Sequence, residues 1–119
     1  MSAQFRLPHP TIRSDQYFPV RAFLNAVPNT DFIEMLEYLA KGTSYSENDI
    51  ECAFPESLDP WEEAFEGLRF TAGDECIVLS YQDAYAFMQQ ACQAYLEERP
   101  NDTEKVHQIL KQFFDRYCR

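Results

Sequence analysis

Ile50-Glu51-Cys52-Ala53-Phe54, Phe65-Glu66-Gly67-Leu68-Arg69-Phe70-Thr71 and Cys76-Ile77-Val78-Leu79 are the segments on which the fold turns. The first alternates with period two, the signature of a half-buried strand, and Pro55 stops it. From Glu63 to Thr71 the alternation returns, with Ala64, Leu68 and Phe70 sharing a face with Glu66 while Phe65 and Gly67 lie opposite. Ala72-Gly73-Asp74 then reads as a hairpin loop, with a glycine where the chain must reverse. Cys76 to Leu79 is apolar on both faces and reads as the central strand. The expectation is a small antiparallel sheet of three strands, at 50–54, 63–71 and 75–80.

On either side of this sheet the period changes to that of helices. Upstream, Val20, Phe23, Leu24 and Val27 recur at i, i+3, i+4 and i+7 between Pro19 and Pro28. A second helix follows, with Asn29 and Thr30 as N-cap types and Asp31 and Glu34 suited to the positive helix start. Ile33, Leu36, Leu39 and Ala40 form its apolar face, and Gly42 supplies the left-handed residue that ends it. Polar residues 43–49 read as a loop, and residues 55–60 as a turn rich in proline.

Downstream, Ser80 with Asp83 three residues on forms a capping signal. Tyr81, Ala84, Tyr85, Met88, Ala91, Cys92, Tyr95 and Leu96 continue one stripe until Pro100 breaks the chain. A last helix from Asn101 or Asp102 carries Val106, Ile109, Leu110, Phe113, Phe114 and Tyr117. The reading is one α+β domain over 1–119, a three-stranded antiparallel sheet with three to four helices. Residues 1–16 form an extended arm that docks through Phe5 and Leu7.

The size fits one domain: 119 residues, 45% hydrophobic and 25% charged, enough for a core without disulfides. No apolar run approaches the ~18–20 residues of a membrane span. Met1 to Pro10 lacks the apolar core of a secretory signal, so a cytoplasmic protein is expected. Cys52, Cys76, Cys92 and Cys118 show no close pairing. The first three sit among apolar neighbours and read as buried, reduced thiols. Neither His9 nor His107 has a second ligand at chelating spacing, so no metal or other cofactor is expected.

Charge carries the functional signal. The net charge is −10, and its excess is concentrated. Residues 31–75 hold thirteen acids against Lys41 and Arg69, a local −11, whereas residues 1–30 carry +2 and residues 76–119 carry −1. Such a surface repels phosphate and argues against direct nucleic-acid binding; it favours rapid capture of a basic protein.

Catalytic motifs are missing. There is no phosphate-cradling glycine loop and no G-x-S-x-G elbow. Asp59, Glu62, Glu63 and Glu66 around Trp61 and Phe65 invite a carboxylate acid/base reading. Four like charges within eight residues fit a solvated face better, so no catalytic residue is assigned. The same cluster, joined by Glu47, Asp49 and Glu56, reads as an electrostatic footprint. Tyr45 and Trp61 stand in it as aromatic anchors; core packing is the competing reading for Trp61.

A resemblance sharpens this. Lys41-Gly42-Thr43-Ser44-Tyr45, Cys52-Ala53-Phe54-Pro55, Leu58-Asp59-Pro60-Trp61-Glu62-Glu63, Phe65-Glu66-Gly67-Leu68-Arg69-Phe70 and Asp74-Glu75-Cys76-Ile77-Val78-Leu79-Ser80 occur in order. With Phe23-Leu24-Asn25, Asp31-Phe32-Ile33-Glu34 and a long helix ending near Tyr95-Leu96-Glu97, the chain resembles the immunity proteins of bacterial contact-dependent growth inhibition (CDI), the CdiI group associated with ribonuclease toxins. The likeness runs from about residue 18 to about residue 117. The chain departs from it after Gly42, where such sequences are often glycine-rich and this one has Thr43, Ser44 and Ser46.

The resemblance implies a non-enzymatic inhibitor that binds one toxin nuclease domain, one to one, and covers its basic active-site groove. Two alternatives remain at this stage. One is an acidic adaptor or regulator of another basic protein; the other is a small carboxylate-dependent hydrolase.

Overall fold

The computed structural model describes Leu7, residues 16–57, Pro60, Trp61 and residues 64–118. The elements follow as α1 (Phe18–Ala26), α2 (Asn29–Ala40), β1 (Tyr45–Glu47), β2 (Ile50–Ala53), β3 (Leu68–Ala72), β4 (Glu75–Leu79), α3 (Tyr81–Glu98) and α4 (Thr103–Phe113). The α+β class is as the sequence predicts. The sheet, however, has four antiparallel strands in the order β1-β2-β3-β4, not three. β1 falls inside the expected loop 43–49. It is three residues long, too short for its alternation to register against Ser46 and Glu47.

Two further expectations are corrected. The strand predicted from residue 63 begins only at Leu68, because Gly67 takes a φ of +107°, which breaks the extended run. The Cys76–Leu79 segment is an edge strand, and the central strands are β2 and β3. Its second apolar face is not covered: Val78 is 42% exposed and Cys76 is exposed, against the expectation of a buried thiol.

One face of the sheet forms the core. Tyr45, Ile50, Cys52, Leu68, Phe70 and Leu79 are buried there. Their pairings, Tyr45 with Cys52, Cys52 with Phe70 and Leu68 with Leu79, put them on one side. Helix α1 lies across this face. Its Phe23 meets Phe70 and Tyr45 edge-on, with ring centroids 5.5 and 6.2 Å apart. Such pairs add about 0.5–1.5 kcal/mol beyond the area they bury.

The helix ends obey their local chemistry. After α2, Gly42 (φ +80°) lets its own N–H reach the Leu39 carbonyl and the Thr43 N–H reach that of Tyr38, the two bonds of a Schellman stop. Ser80 caps α3 as read, its hydroxyl accepting from the Asp83 N–H at 3.1 Å. Asn29 does not cap α2. It is the first helical residue, and its side-chain amide donates to Glu98 at 2.9 Å, tying the start of α2 to the end of α3. Tyr95 stacks on Phe32 at 4.6 Å and donates to Asp102 at 2.6 Å.

The last stripe does not continue as α-helix to Tyr117. After Phe113 the chain widens into a π-turn, Phe114–Cys118. That turn brings Tyr117 inward to stack on Tyr81 at 4.6 Å and to approach Phe54 at 5.4 Å. The Tyr117 hydroxyl fills the space beside Gly42 that a Cβ would need. Of the expected arm, Phe5 lies outside the described residues. Leu7 is 1% exposed, and the Asn25 side chain clasps its backbone, accepting from the Leu7 N–H at 2.8 Å and donating to its carbonyl at 2.9 Å.

Candidate functional site

The antiparallel meander sends the acidic residues to two ends of the sheet. At one end the β1–β2 turn (Asn48, Asp49) and the β3–β4 turn (Gly73, Asp74) lie side by side, and the Gly73 N–H donates to the Asp49 carbonyl at 3.0 Å. Asn48 (φ 56°) and Gly73 (φ 59°) hold the left-handed conformations that let two-residue turns follow the strand twist. Glu47, Asp49, Asp74 and Glu75 therefore share this end. None of them forms an ion pair among the described residues.

Helix α2 adds to it. Asp31, Glu34 and Tyr38 fall at i, i+3 and i+7, a face that flanks the buried Phe32, Met35, Leu36 and Leu39. The ring of Tyr38 meets that of Tyr45 edge-on at 5.3 Å. The Tyr45 hydroxyl donates to Glu47 at 2.8 Å. Burial first, then the Glu47 carboxylate, then the charges of Asp31 and Glu34 push the Tyr45 phenol far above its ordinary range. Asp31 and Glu34 thus bear electrostatically on the hydroxyl that donates to Glu47.

Tyr45 is thus not the exposed anchor the sequence suggested. At 8% exposure it belongs to the core, since its strand position faces α1. The exposed aromatic at this end is Tyr38, 39% accessible, which the sequence reading did not select. The signal was present as the 31/34/38 spacing on the polar face of α2.

Glu56 and Glu66 lie at the opposite end, both exposed. Both contribute to raising the Tyr81 phenol, after burial as the leading cause, so both approach the start of α3. Four residues of strand separate the two ends, about 13 Å at ~3.3 Å per residue.

Trp61, in the chain segment between β2 and β3, is 80% exposed, which removes core packing as its role. Nearby, the Arg69 guanidinium lies 5.1 Å from the centre of the Phe65 ring, a cation–π contact that holds the chain as it enters β3. Asp59, Glu62 and Glu63 lie outside the described residues.

Of the nine predicted residues, the six that are described separate. Glu47 and Asp49 go with the paired turns, Glu56 and Glu66 with the far end, and Tyr45 with the core, while Trp61 stands exposed in the segment between β2 and β3.

Among the described residues no cluster of three or more His, Cys, Asp or Glu side chains could hold a metal ion. Burial holds the Cys52 thiol well above its usual pKa, which suppresses the reactive thiolate. No helix of the described residues is long and apolar enough to cross a membrane.

Residues 15–110, most of the chain, match a protein-family model described as CDI immunity protein. No curated protein matches the chain.

Proposed function

The chain belongs to the CDI immunity protein family, and from that premise we propose that its target is a basic nuclease domain of the cognate toxin, held one to one in the cytoplasm. Immunity in this family means protection against a toxin. The means is electrostatic: carboxylates occupy the groove that would otherwise hold RNA phosphates. A ribonuclease groove must be basic to bind its substrate, so a −11 segment competes with RNA for the same field.

The observation that carries this reading is Trp61. A tryptophan left 80% exposed is poorly used by its own fold, and this one stands in the sequence between Asp59 and Glu62-Glu63. Large aromatics ringed by polar groups supply most of the affinity at protein interfaces, while the charges supply steering and orientation. Glu56, Asp59, Trp61, Glu62, Glu63 and Glu66 form the primary contact in this reading. Glu47 and Asp49, with Asp31 and Glu34, extend the attracting field from the other end of the sheet.

The test is charge reversal at each end separately. Asp59→Lys/Glu62→Lys/Glu63→Lys should abolish protection and toxin capture while leaving circular dichroism and melting unchanged. Asp49→Lys/Asp74→Lys should slow association and steepen no other defect. Full protection by a well-folded triple variant would overturn the assignment of the contact to the Trp61 segment. Protection lost without any nuclease activity in the toxin would overturn the nuclease target.

A further inference from the structure

Strand β4 closes one side of the sheet, and the register tells which of its backbone groups are already paired. The Gly73 N–H donates to the Asp49 carbonyl at 3.0 Å, so Gly73 is turned toward β2. Along an antiparallel ladder the direction of bonding alternates from one residue to the next. Thr71 and Arg69 therefore bond toward β2, whereas Ala72, Phe70 and Leu68 bond toward β4. Their partners Glu75, Ile77 and Leu79 point back at β3. The N–H and C=O groups of Cys76 and Val78 are left facing away from the sheet, and among the described residues nothing bonds to them.

Both edges of a sheet invite a further strand, and proteins ordinarily blunt them with lysine, proline, a bulge, short length or a covering segment. β1 is blunted by its length: of its three residues only Ser46 turns its backbone outward. β4 has none of these devices. It is five residues long, its pairing runs without a bulge, and Glu75-Cys76-Ile77-Val78-Leu79 contains neither lysine nor proline. Its outward residues also carry exposed side chains. Val78 pairs with Arg69, whose guanidinium lies on the Phe65 ring. Phe65 follows Trp61 by four residues, so the open edge continues into the segment proposed as the toxin contact.

Charge says which strand fits. Asp49, Asp74 and Glu75 stand at the turn where β4 begins, and the chain carries −10 overall. A second copy brought to this edge meets like charge, whereas a basic chain is drawn to it. Resting on the reading of a basic toxin domain, the geometry points to β4 as the seat of a toxin strand. An extended segment of the toxin adds to the sheet as its fifth strand and exchanges hydrogen bonds with the N–H and C=O groups of Cys76 and Val78. A Lys or Arg at one end of that segment meets Asp74 and Glu75 at the turn. The backbone pairing supplies strength that is indifferent to side chains, and the acids set which chain is accepted and how it lies.

Amide hydrogen exchange, read residue by residue by NMR on the full chain alone and with the cognate toxin domain, tests this. In the free protein the Cys76 and Val78 amides should exchange fast and the Ile77 amide slowly. Toxin should remove that alternation, slowing Cys76 and Val78 by about tenfold or more. Val78→Pro deletes one outward N–H without touching the β3 ladder, a change that edge strands tolerate. It should raise the toxin Kd about tenfold or more, because a carbonyl of the incoming strand loses its donor. A thermal melt checks that the variant is folded, and if it is not, exchange in the wild type decides alone. A complex in which Cys76 and Val78 exchange as fast as in the free chain would overturn the proposal, as would a folded Val78→Pro with the wild-type Kd. Protection of both amides in the free chain that grows with its own concentration would overturn it in favour of a second copy. Toxin protection of Cys76 and Val78 that survives the Asp59→Lys/Glu62→Lys/Glu63→Lys reversal would support the β4 seat and remove the Trp61 segment, so the two assignments fail separately.

Discussion

Replacing Trp61 with alanine separates what this residue does for the fold from what it does for a partner. Its side chain is 80% exposed, so the folded chain gains little from it. The expected change in unfolding free energy is within about 0.5 kcal/mol, the range of ordinary surface substitutions. The same exposure sets the binding term. An aromatic of this size offers up to ~250 Å2, of which four-fifths, about 200 Å2, is still available for burial. At ~25 cal/mol per Å2 that is about 5 kcal/mol as an upper bound, before ordering and imperfect fit reduce it. A central aromatic anchor realises about 2–4 kcal/mol, a ~30- to ~1,000-fold rise in Kd. Titration calorimetry with the toxin domain measures that term, and a thermal melt of the free protein measures the other. A Kd within threefold of wild type would refute the anchor assignment. So would a large loss of stability, since it would mean that the ring serves the fold.

Two glycines provide a matched stability prediction. A Cβ on Gly73 (φ +59°) meets nothing within 4 Å, so Gly73→Ala should cost only the left-handed backbone term of ~1–2 kcal/mol. A Cβ on Gly67 (φ +107°) falls on the Leu79 carbonyl, where β3 and β4 close against each other. Adding overpacking gives about 3 kcal/mol or more. For a chain of this length those costs correspond to roughly 4–8 °C and about 12 °C or more in Tm. Equal shifts would contradict the packing at Gly67.

Alkaline pH gives another. Burial raises the phenols of Tyr45, Tyr81 and Tyr85 above 10.0 and the thiols of Cys52 and Cys118 above 9.0. The unfolded chain releases these protons first, so stability is complete below the ordinary values and falls as pH rises through 9 and then 10. Tyr45→Phe should make that fall shallower, as read by urea unfolding at stepped pH. Stability flat to about pH 11 would refute it.

The helices were legible because each writes its own period and punctuation. Ser80 and Gly42 mark their ends with side chains or conformations that few other residues supply, and both act where the sequence placed them. The sheet was less legible because a strand's neighbours are not encoded in its own pattern. Cys76 to Leu79 looked central from its composition, yet its exposed Val78 and Cys76 reflect an edge position that only the pairing order decides. Tyr45 looked like a loop residue in acidic surroundings. Its burial depends on α1 lying across the sheet face, a long-range contact that local sequence does not carry. The described acids of the footprint do not form a single patch, for a geometric reason. Asp49 and Glu56 are seven positions apart, but β2 lies between them and carries the chain from one end of the sheet to the other.

That division has an energetic logic. Gathering thirteen carboxylates on one small surface would make each raise the cost of ionising the next, and the repulsion would oppose folding. With about 13 Å of strand between the ends, the described carboxylates at each lie beyond the ~8 Å screening length of the other at physiological salt. The two ends therefore act as separate sources of field, each relieved by solvent and counterions in the free protein. Charge alone does not choose between them as the principal contact, since both are acidic and both are exposed. In the proposed reading the exposed aromatic surface makes the choice: Trp61 at 80% outweighs Tyr38 at 39%, whose ring already packs on Tyr45. Reversing charges at the turn end should thus lower the association rate with little effect on dissociation. The same number of reversals around Trp61 should act on both, because there the charges adjoin the anchor that has to be desolvated.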